Sequence, residues 1–354
     1  MTIPQPNPLI YDLNFEQLIE FLDRNNFPKF RAEQIWQGLY QHLWNSTAQF
    51  TTLPKSLKDL LDNHFRFTGL ESKKVIQSQD HETTKTLFYL WDGKAIESVL
   101  MKYNTRRTLC ISTQAGCAMG CVFCATGQMG FKRHLTSGEI IEQVLFYARH
   151  LQQSGEQVTN VVLMGMGEPF HNYDATMEAI DRLNLPLGLN LGARRFTIST
   201  VGLVPMIDKF ANENRQVNLA ISLHAANDEE RSKLLPINKK YPLEVLLQSC
   251  RNYVTKTHRR ITFEWALIAG KNDSEQTAKE LAALLRGILC HVNVIPLNPT
   301  TQYAGNPSSQ ASAQKFKEIL EKQGIPCTIR IRRGMDIQAG CGQLATLDTQ
   351  SNSI

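Results

Sequence analysis

From residue 108 onward the chain alternates between two spacings of apolar residues. Short runs rich in β-branched and apolar side chains, typical of buried strands, occupy residues 108–113, 158–164, 195–200, 217–223, 260–268 and 291–296, with a last run at 327–332. Between them, apolar residues recur three and four positions apart, which predicts amphipathic helices. Strands that alternate with helices form parallel βαβ units. We therefore predict an α/β fold, a partial (β/α)6 barrel of the TIM type.

Two smaller units precede this predicted barrel. Three segments with helical spacing predict a small accessory domain over residues 1–70: 15–25, 30–44 and 56–65. Three further segments predict strands of a short antiparallel linker sheet over residues 71–102: 73–78, 85–91 and 94–101. Asp92-Gly93, between the last two, is a strong signal for a tight hairpin turn. The barrel would then span residues 103–336, and a C-terminal segment with a disordered tail would span 337–354.

Composition narrows the class of protein. With 354 residues, 42% hydrophobic and 20% charged, the chain resembles an ordinary globular protein. It contains no apolar run of about 18 residues and no signal-peptide pattern, so we expect a cytoplasmic protein without a membrane segment. Eight cysteines in a chain of this size do not indicate a disulfide scaffold.

Charge bears on the partners of the protein. The net charge of +5 alone is weak evidence for nucleic acid. Basic residues nevertheless cluster near loops, which predicts a segregated basic face suited to phosphate: 106–107, 132–134, 194–195, 239–240, 256–260 and 330–333. Aromatic and basic side chains of the accessory domain could likewise hold RNA, or they could form its core.

Three cysteines, Cys117, Cys121 and Cys124, lie within eight residues at the spacing C-x3-C-x2-C. Three thiolates on one tight loop can hold three irons of a [4Fe–4S] cluster and leave the fourth iron open. A closed zinc site needs four ligands, so Cys110 or His134 would have to complete it. Buried structural cysteines are a third interpretation. The spacing resembles that of the radical S-adenosylmethionine (SAM) enzymes, whose open iron chelates SAM.

Polar residues, a glycine and a leucine lie at the points where the predicted strands end. The set consists of Gly167, Glu168, Ser199, Ser222, Leu223, His224 and Asn298. In parallel α/β barrels the chemistry is located at the carboxyl ends of the strands, so these residues should face one mouth together with the cysteine loop. They predict a pocket for a charged amino acid and a ribose, the two polar parts of SAM.

Motifs over nearly the whole chain resemble the adenine-C2 RNA methyltransferases of the radical SAM superfamily. Besides the cysteine loop they are Glu97-Ser-Val, Met164-Gly-Met-Gly-Glu168-Pro, Thr197-Ile-Ser-Thr200, Ser222-Leu-His224-Ala, Asn298-Pro and Gly340-Cys341-Gly-Gln-Leu-Ala. The combination of Glu97, Cys110 and Cys341 is the discriminating part. The resemblance implies methylation of adenine C2 in 23S rRNA and at position 37 of tRNA, beside the anticodon, with two SAM molecules consumed per turnover.

The resemblance also assigns roles to residues. Cys341 would take a methyl group from one SAM, and a radical made from a second SAM would activate that methyl group for addition to C2. Glu97 would accept the C2 proton, and Cys110 would release the product by forming a disulfide with Cys341. Such a cycle implies an electron donor similar to flavodoxin or ferredoxin and a thiol reductant; we expect a monomer. Cys250, Cys290 and Cys327 are expected in the core.

Two alternatives stay open. A related radical SAM enzyme methylates C8 of the same rRNA adenine and uses much the same residues, so the pattern of residues does not separate the two products. A member of a different class, a zinc-stabilised RNA-binding protein without catalysis, would use the same cysteines as structural ligands.

Overall fold

The computed structural model describes residues 6–346. The predicted accessory domain contains α1 (Phe15–Arg24), α2 (Phe30–Tyr40) and α3 (Lys55–His64), with one-turn helices at Ile10–Asp12 and Thr47–Gln49. Its larger aromatic side chains form its own core, with Tyr11, Trp36, Tyr40 and Phe50 almost inaccessible to solvent. These four rings are therefore not available to RNA.

Helix α2 ends at Tyr40, four residues before the predicted end. The chain reverses there, because Leu43 adopts a left-handed conformation and the Trp44 amide donates to the Gly38 carbonyl. Gly38 lies directly beneath the rings of Trp44 and Phe50, where a β-carbon would come within 2.2 Å of a Phe50 ring carbon. This packing folds Trp44 and Phe50 back onto α2, so the helix ends at Tyr40.

One sheet of ten strands continues from the linker region into the barrel. Its strands, in spatial order, are β1 (Leu70–Gln77), β2 (Thr83–Leu90), β3 (Ala95–Lys102), β4 (Arg107–Cys110), β7 (Asn160–Leu163), β8 (Phe196–Thr200), β9 (Asn218–Ser222), β10 (Ile261–Leu267), β11 (Cys290–Pro296) and β12 (Cys327–Ile329). Strands β1 to β4 pair antiparallel, and β4 and β7 to β12 pair parallel. The linker sheet is thus an extension of the barrel wall.

The remaining strands form a small hairpin beside the cysteine loop, β5 (Gln114–Gly116) and β6 (Phe131–His134). The helices outside the accessory domain are α4 (Ala125–Gln128), α5 (Ser137–Gln152), α6 (Tyr173–Asn184), α7 (Val204–Asn212), α8 (Asp228–Leu234), α9 (Leu243–Thr257), α10 (Glu275–Leu285) and α11 (Gln310–Lys322). The β5–β6 hairpin, α4 and α8 were not predicted. Cys250, Cys290 and Cys327 are buried, as expected.

The basic groups do not form a single face. Arg194, Arg259 and Arg260 line a depression at the amino ends of β8 to β10, whereas Arg330, Arg332 and Arg333 follow β12 at its carboxyl end. The prediction of one segregated basic face is therefore wrong, because the topology carries the groups to opposite ends of parallel strands. Among residues 6–346, no helix combines the length and hydropathy required of a membrane span.

The chain after β12 crosses the unclosed side of the barrel and reaches the linker strands. Arg333 forms an ion pair with Glu82, and the Gln79 amide donates to Asp336. The predicted disordered tail after residue 346 lies outside the described residues. Residues 331–345 therefore connect the last parallel strand to β2 and β3 without strand pairing.

The accessory domain is fastened to the barrel at the start of α5. The Gly138 amide in the first turn of α5 donates to the Asp12 carboxylate at 2.8 Å, and buried Arg182 donates to the Tyr11 carbonyl and the Ser137 hydroxyl. A carboxylate here satisfies a free helix amide and complements the helix dipole.

Replacing Asp12 by alanine is expected to lower the free energy of unfolding by about 1 kcal/mol, as for other lost helix caps. Asparagine retains an acceptor for the Gly138 amide and should lose less. Urea unfolding measures both, with the exposed Asp23→Ala on α1 as the matched control. Equal losses for Asp12→Ala and Asp23→Ala would contradict the capping role.

Candidate active site

A cavity opens at the carboxyl ends of the parallel strands, where the sequence predicted it. The predicted residues on its wall are Cys121, Cys124, Gly167, Glu168, Ser199, Ser222, His224, Asn298 and Cys341. Leu223, also predicted to contact SAM, is fully buried and does not line this cavity. Its backbone amide donates to the Glu264 carbonyl, and its carbonyl accepts from Arg231.

The cysteine loop lies between the β5–β6 hairpin and α4. Burial raises the pKa of the Cys117 thiol to about 12 and that of Cys121 well above its usual value; Cys124 raises both further, and Cys117 also raises that of Cys121. Within the described chain they do not converge as three ligands of one metal ion must. In an iron–sulfur cluster each cysteine ligates its own iron and exchanges its proton for the metal. This donor set, three neighbouring free thiols on one loop, fits a [4Fe–4S] cluster.

The two candidates for a fourth zinc ligand make other contacts. His134 is exposed on β6, and its Nδ1 lies 3.1 Å from the Gln114 side-chain amide. Cys110 lies on β4, and the charged group that most raises its pKa is Cys341. Neither residue joins the three cysteines in a set that could hold one metal ion within the described residues.

One unsatisfied acceptor supports a polar ligand in the cavity. The side chain of Asn298, 5% exposed, donates from Nδ2 to the Cys341 carbonyl, while its Oδ1 is buried without a hydrogen-bond partner. A buried acceptor left unpaired costs free energy, so a ligand that donates a hydrogen bond here is favoured. The amine, the ribose and the adenine of SAM all carry such donors.

Gly167 and Glu168 join the loops that surround the cavity. Gly167 has a φ of +100°, and a β-carbon there would lie 2.8 Å from the Gln114 amide nitrogen, so only glycine fits. The Glu168 carboxylate accepts from the amides of Phe170 and Val201, which fixes the loop after β7 to the loop after β8. Burial raises the pKa of Glu168 to about 7.

His224 is held as a neutral ring at the cavity wall. Its Nδ1 accepts from the Ala266 amide at 2.9 Å, and burial, followed by the charge of Arg231, lowers its pKa to about 3. Its backbone is left-handed, with a φ of +61°, a conformation that costs free energy outside glycine and often marks functional sites. Nδ1 carries no proton, so Nε2 carries the single proton of the ring.

Arg231 belongs to the site, although no motif or spacing in the sequence marked it. Its fully buried guanidinium donates to the carbonyls of Val201, Ser222 and Leu223 and to Asn238. Arg231 lies on α8, and the last residue of this helix, Leu234, accepts a hydrogen bond at its carbonyl from the Val122 amide of the cysteine loop. Arg231 therefore ties the ends of β8 and β9 to the support of that loop.

Cys341 is carried by a short segment without regular structure, residues 340–345, here called the Cys341 segment. Backbone bonds fasten it to the cysteine loop: the Ala125 amide donates to the Gly342 carbonyl, and the Thr126 hydroxyl donates to that of Leu344. Gly340 is packed against Asn298, whose Nδ2 would lie 2.7 Å from an added β-carbon. The residue Cys341 is exposed as a whole and lines the cavity, whereas the protein atoms around its thiol desolvate that group.

Glu97 lies at the other end of this segment in a buried ion pair. Its Oε2 accepts from the Ala345 amide at 3.0 Å, and Lys85 of β2 approaches its Oε1 at 3.1 Å. Lys85 also donates to the Gln338 carbonyl, so the pair holds the chain on both sides of Cys341. Burial raises the pKa of Glu97, and Lys85 opposes that rise. Nothing in the sequence distinguished Lys85 from a solvent-facing strand residue.

Cys110 is brought to the same place by strand pairing. It lies opposite Val99 on β3, two positions from Glu97, so the three side chains share one face of the sheet. Burial raises the pKa of Cys110 to about 12 and that of Cys341 to about 11. Arg330 lowers the pKa of both thiols, and the carboxyl of Glu264 raises the pKa of Cys341. Glu264 was also missed by sequence reasoning. The structure thus gathers Glu97, Cys110 and Cys341 around one segment.

Replacing Lys85 by methionine is expected to destabilise the protein by about 3 kcal/mol at pH 8, because Glu97 stays buried without a cation. Without Lys85 the pKa of folded Glu97 lies further above its unfolded value. The stability of the variant is then highest at low pH and falls as the pH rises through that pKa. Urea unfolding between pH 5 and pH 8 measures this difference.

The matched controls are the surface variant Lys233→Met, which should lose little at any pH, and the double variant Lys85→Met, Glu97→Gln, which should recover stability at pH 8. A loss for Lys85→Met that is the same at pH 5 and pH 8 would contradict a buried, ionised Glu97.

Known protein families match the chain in both the accessory domain and the barrel. Residues 111–282 match the radical SAM superfamily, and residues 9–66 match the ribosomal RNA large subunit methyltransferase N-terminal domain. The dual-specificity RNA methyltransferase RlmN 1 of Myxococcus xanthus is 49% identical over 97% of this chain and 96% of its own length. A probable dual-specificity RNA methyltransferase RlmN of Chloroflexus aurantiacus is 47% identical over 95% of this chain and 92% of its own.

A solved structure extends the match to the fold. The radical SAM methyltransferase from Sphaerobacter thermophilus is 50% identical and covers 95% of this chain and 99% of its own, with a TM-score of 0.93. This confirms the predicted fold class and overturns the interpretation as a zinc-stabilised protein without catalysis. The chain belongs to the RlmN family of radical SAM RNA methyltransferases.

Proposed function

We propose that this protein methylates C2 of an adenine in 23S rRNA and C2 of the adenine at position 37 of tRNA, using two SAM molecules per turnover. The observation that carries the proposal is the meeting of Glu97, Cys110 and Cys341 at the Cys341 segment, beside a cavity with polar groups suited to SAM. RNA as the substrate class follows from the family. C2 lies between two ring nitrogens and is too electron-poor to attack a sulfonium methyl, so a radical route is needed.

Cys117, Cys121 and Cys124 would hold the [4Fe–4S] cluster, and Gly167, Glu168, Ser199, Ser222, His224 and Asn298 would contact SAM, with the buried Leu223 behind them rather than on the cavity wall. When bound and reduced, the cluster supplies the electron that cleaves SAM to a 5′-deoxyadenosyl radical. The protein contributes a cavity lined by Cys341, in which SAM would bind.

Cys341 is the proposed methyl carrier. Its thiol must lose a proton before it attacks, and burial holds its pKa at about 11. The positive sulfonium of SAM, placed in the same cavity, lowers that pKa in addition to Arg330. Thiolate formation is thereby linked to the presence of SAM, and the sulfur stays unreactive otherwise.

Glu97 is the proposed acceptor of the C2 proton. Burial raises the pKa of Glu97, which makes its carboxylate a stronger base. Lys85 keeps this carboxylate ionised until it accepts the C2 proton. Protonation then removes the charge that faces Lys85. The same event weakens the attachment of the Cys341 segment at Ala345, just when the adduct must be released.

Cys110 is the proposed resolving thiol. Its attack on the Cys341 sulfur would form an S–S bond and break the bond from that sulfur to the methylene carbon, which takes the electron pair and a proton and becomes the methyl group. The unpaired electron left by the radical addition would have to pass to a one-electron acceptor, a role that the bound, oxidised cluster could supply. The disulfide must then be reduced, which requires a thiol reductant. We further propose a flavodoxin-like or ferredoxin-like electron donor, a monomeric enzyme and a cytoplasmic location, where rRNA and tRNA are available.

The product distinguishes this proposal from its nearest rival. Under anaerobic conditions with SAM and a reductant, unmodified 23S rRNA fragments and tRNA should yield 2-methyladenosine, measured by mass spectrometry of the digested RNA against both isomers. Formation of 8-methyladenosine alone would assign the enzyme to the C8 class instead.

Replacing Cys110 by alanine should stop the cycle before release and leave RNA covalently bound through Cys341. The adduct is visible as a protein band of higher mass that ribonuclease removes. Cys290→Ala, which deletes a buried core cysteine, is the matched control and should leave no adduct. Normal turnover by Cys110→Ala would show that it does not resolve the intermediate.

A further inference from the structure

A second depression, here called the arginine cleft, reaches Cys341 from the unclosed side of the barrel. Its distinctive lining residues are Tyr103, Arg330, Ile331, Arg332 and Arg333, and it shares Ile295, Asn298 and Cys341 with the cavity already described. Cys341 therefore lies between two spaces. One holds the residues suited to SAM, and the other is dominated by cationic side chains.

Two arginines of the cleft make no direct contact with an anionic side chain in the described part of the chain. Neither Arg330 nor Arg332 makes a side-chain hydrogen bond or an ion pair with residues 6–346, whereas their neighbour Arg333 is paired with Glu82. The half-buried Arg330 faces Glu264, Tyr103, Cys110 and Cys341 beyond ion-pair distance. Glu264 offsets part of the Arg330 charge from a distance, but the hydrogen-bond donors of this partly desolvated guanidinium stay unpaired, so an anion from outside can bind them.

The other lining groups favour RNA as the source of that anion. The guanidiniums of Arg333 and Arg106 lie 4.4 and 5.0 Å from the Tyr103 ring centroid, and Ile331 is 76% exposed. Guanidinium planes and apolar side chains next to phosphate-binding cations are the means by which proteins hold splayed single-stranded RNA. An acidic protein would need only charge, and it has no reason to approach the methyl-carrying sulfur.

We propose that the arginine cleft binds phosphates of the RNA strand beside the target nucleotide, through Arg330 and Arg332, so that the base reaches Cys341 from the side opposite to SAM. This inference rests on the proposed function of Cys341 as the methyl carrier. It adds the path by which the substrate arrives, and it names two positioning residues.

Arg332 gives the cleaner test, because its exposed side chain has no described partner whose loss would affect folding. Fluorescence anisotropy with an unmodified anticodon stem-loop RNA should show about tenfold weaker binding for Arg332→Ala and a larger loss for Arg332→Glu. The plot of log affinity against log salt should become shallower by about 0.7 for Arg332→Ala, the value for one lost contact to single-stranded phosphate. In turnover, the KM for RNA should rise while the KM for SAM stays constant.

Arg286→Ala and Arg286→Glu are the matched controls, because Arg286 is equally exposed and precedes β11 at its amino end, away from both spaces. If the Arg332 variants bind RNA with the same affinity and salt slope as the Arg286 variants, the inference is wrong. An Arg332 effect confined to electron delivery by an acidic donor protein would overturn it as well. A failure of the proposed function is distinguishable, because the unaltered protein would then bind the RNA without methylating it.

Discussion

The position of Cys341 depends on hydrogen bonds to a segment that has no regular structure of its own. Buried backbone groups outside helices and sheets need partners, and here they come from the cysteine loop, from Asn298 after β11 and from Glu97 on β3. Each of these three anchors also takes part in the proposed chemistry. The Cys341 segment is thus held by groups of the same site, and a disturbance of any one of them reaches Cys341 directly.

Buried charge is concentrated around this segment. Glu97 with Lys85, Glu168 against backbone amides and Arg231 among carbonyls are all nearly inaccessible to solvent. Each is stabilised by a specific partner, and each would be costly without it. The apolar core elsewhere supplies the stability that tolerates these groups. Polar residues that break the local pattern therefore mark the site, as expected where function competes with folding.

Most of the barrel could be predicted because its strands and helices carry strong periodicity. The helix α5, with its capping box at Thr136 and Glu139, is an example in which local signals and tertiary packing agree. The short α8 and the β5–β6 hairpin were missed, since seven residues or fewer give little periodicity and their stability comes from tertiary contacts. Continuity between the linker sheet and the barrel was missed as well, because pairing of β3 with β4 leaves no mark on either strand.

The site was predictable to different degrees for physical reasons. The cavity residues follow strand ends, and topology alone brings such positions together. Glu97, Cys110 and Cys341 came from motif resemblance, because no spacing rule relates residues so far apart in the chain. Lys85 had no signal, and Arg330 was marked only as a member of a basic cluster, since a cation that faces inward is indistinguishable in sequence from one that faces water.

The two spaces around Cys341 suggest how one sulfur could serve two reactants. A methyl donor and a large RNA cannot occupy the same volume, and a single cavity would have to empty between the two transfers. A sulfur in the wall between two spaces avoids this, because it can accept a group from one side and present it to the other with little motion of the backbone. Anchoring the Cys341 segment at both ends suits that arrangement, since a freely moving loop would lose the alignment on which both transfers depend.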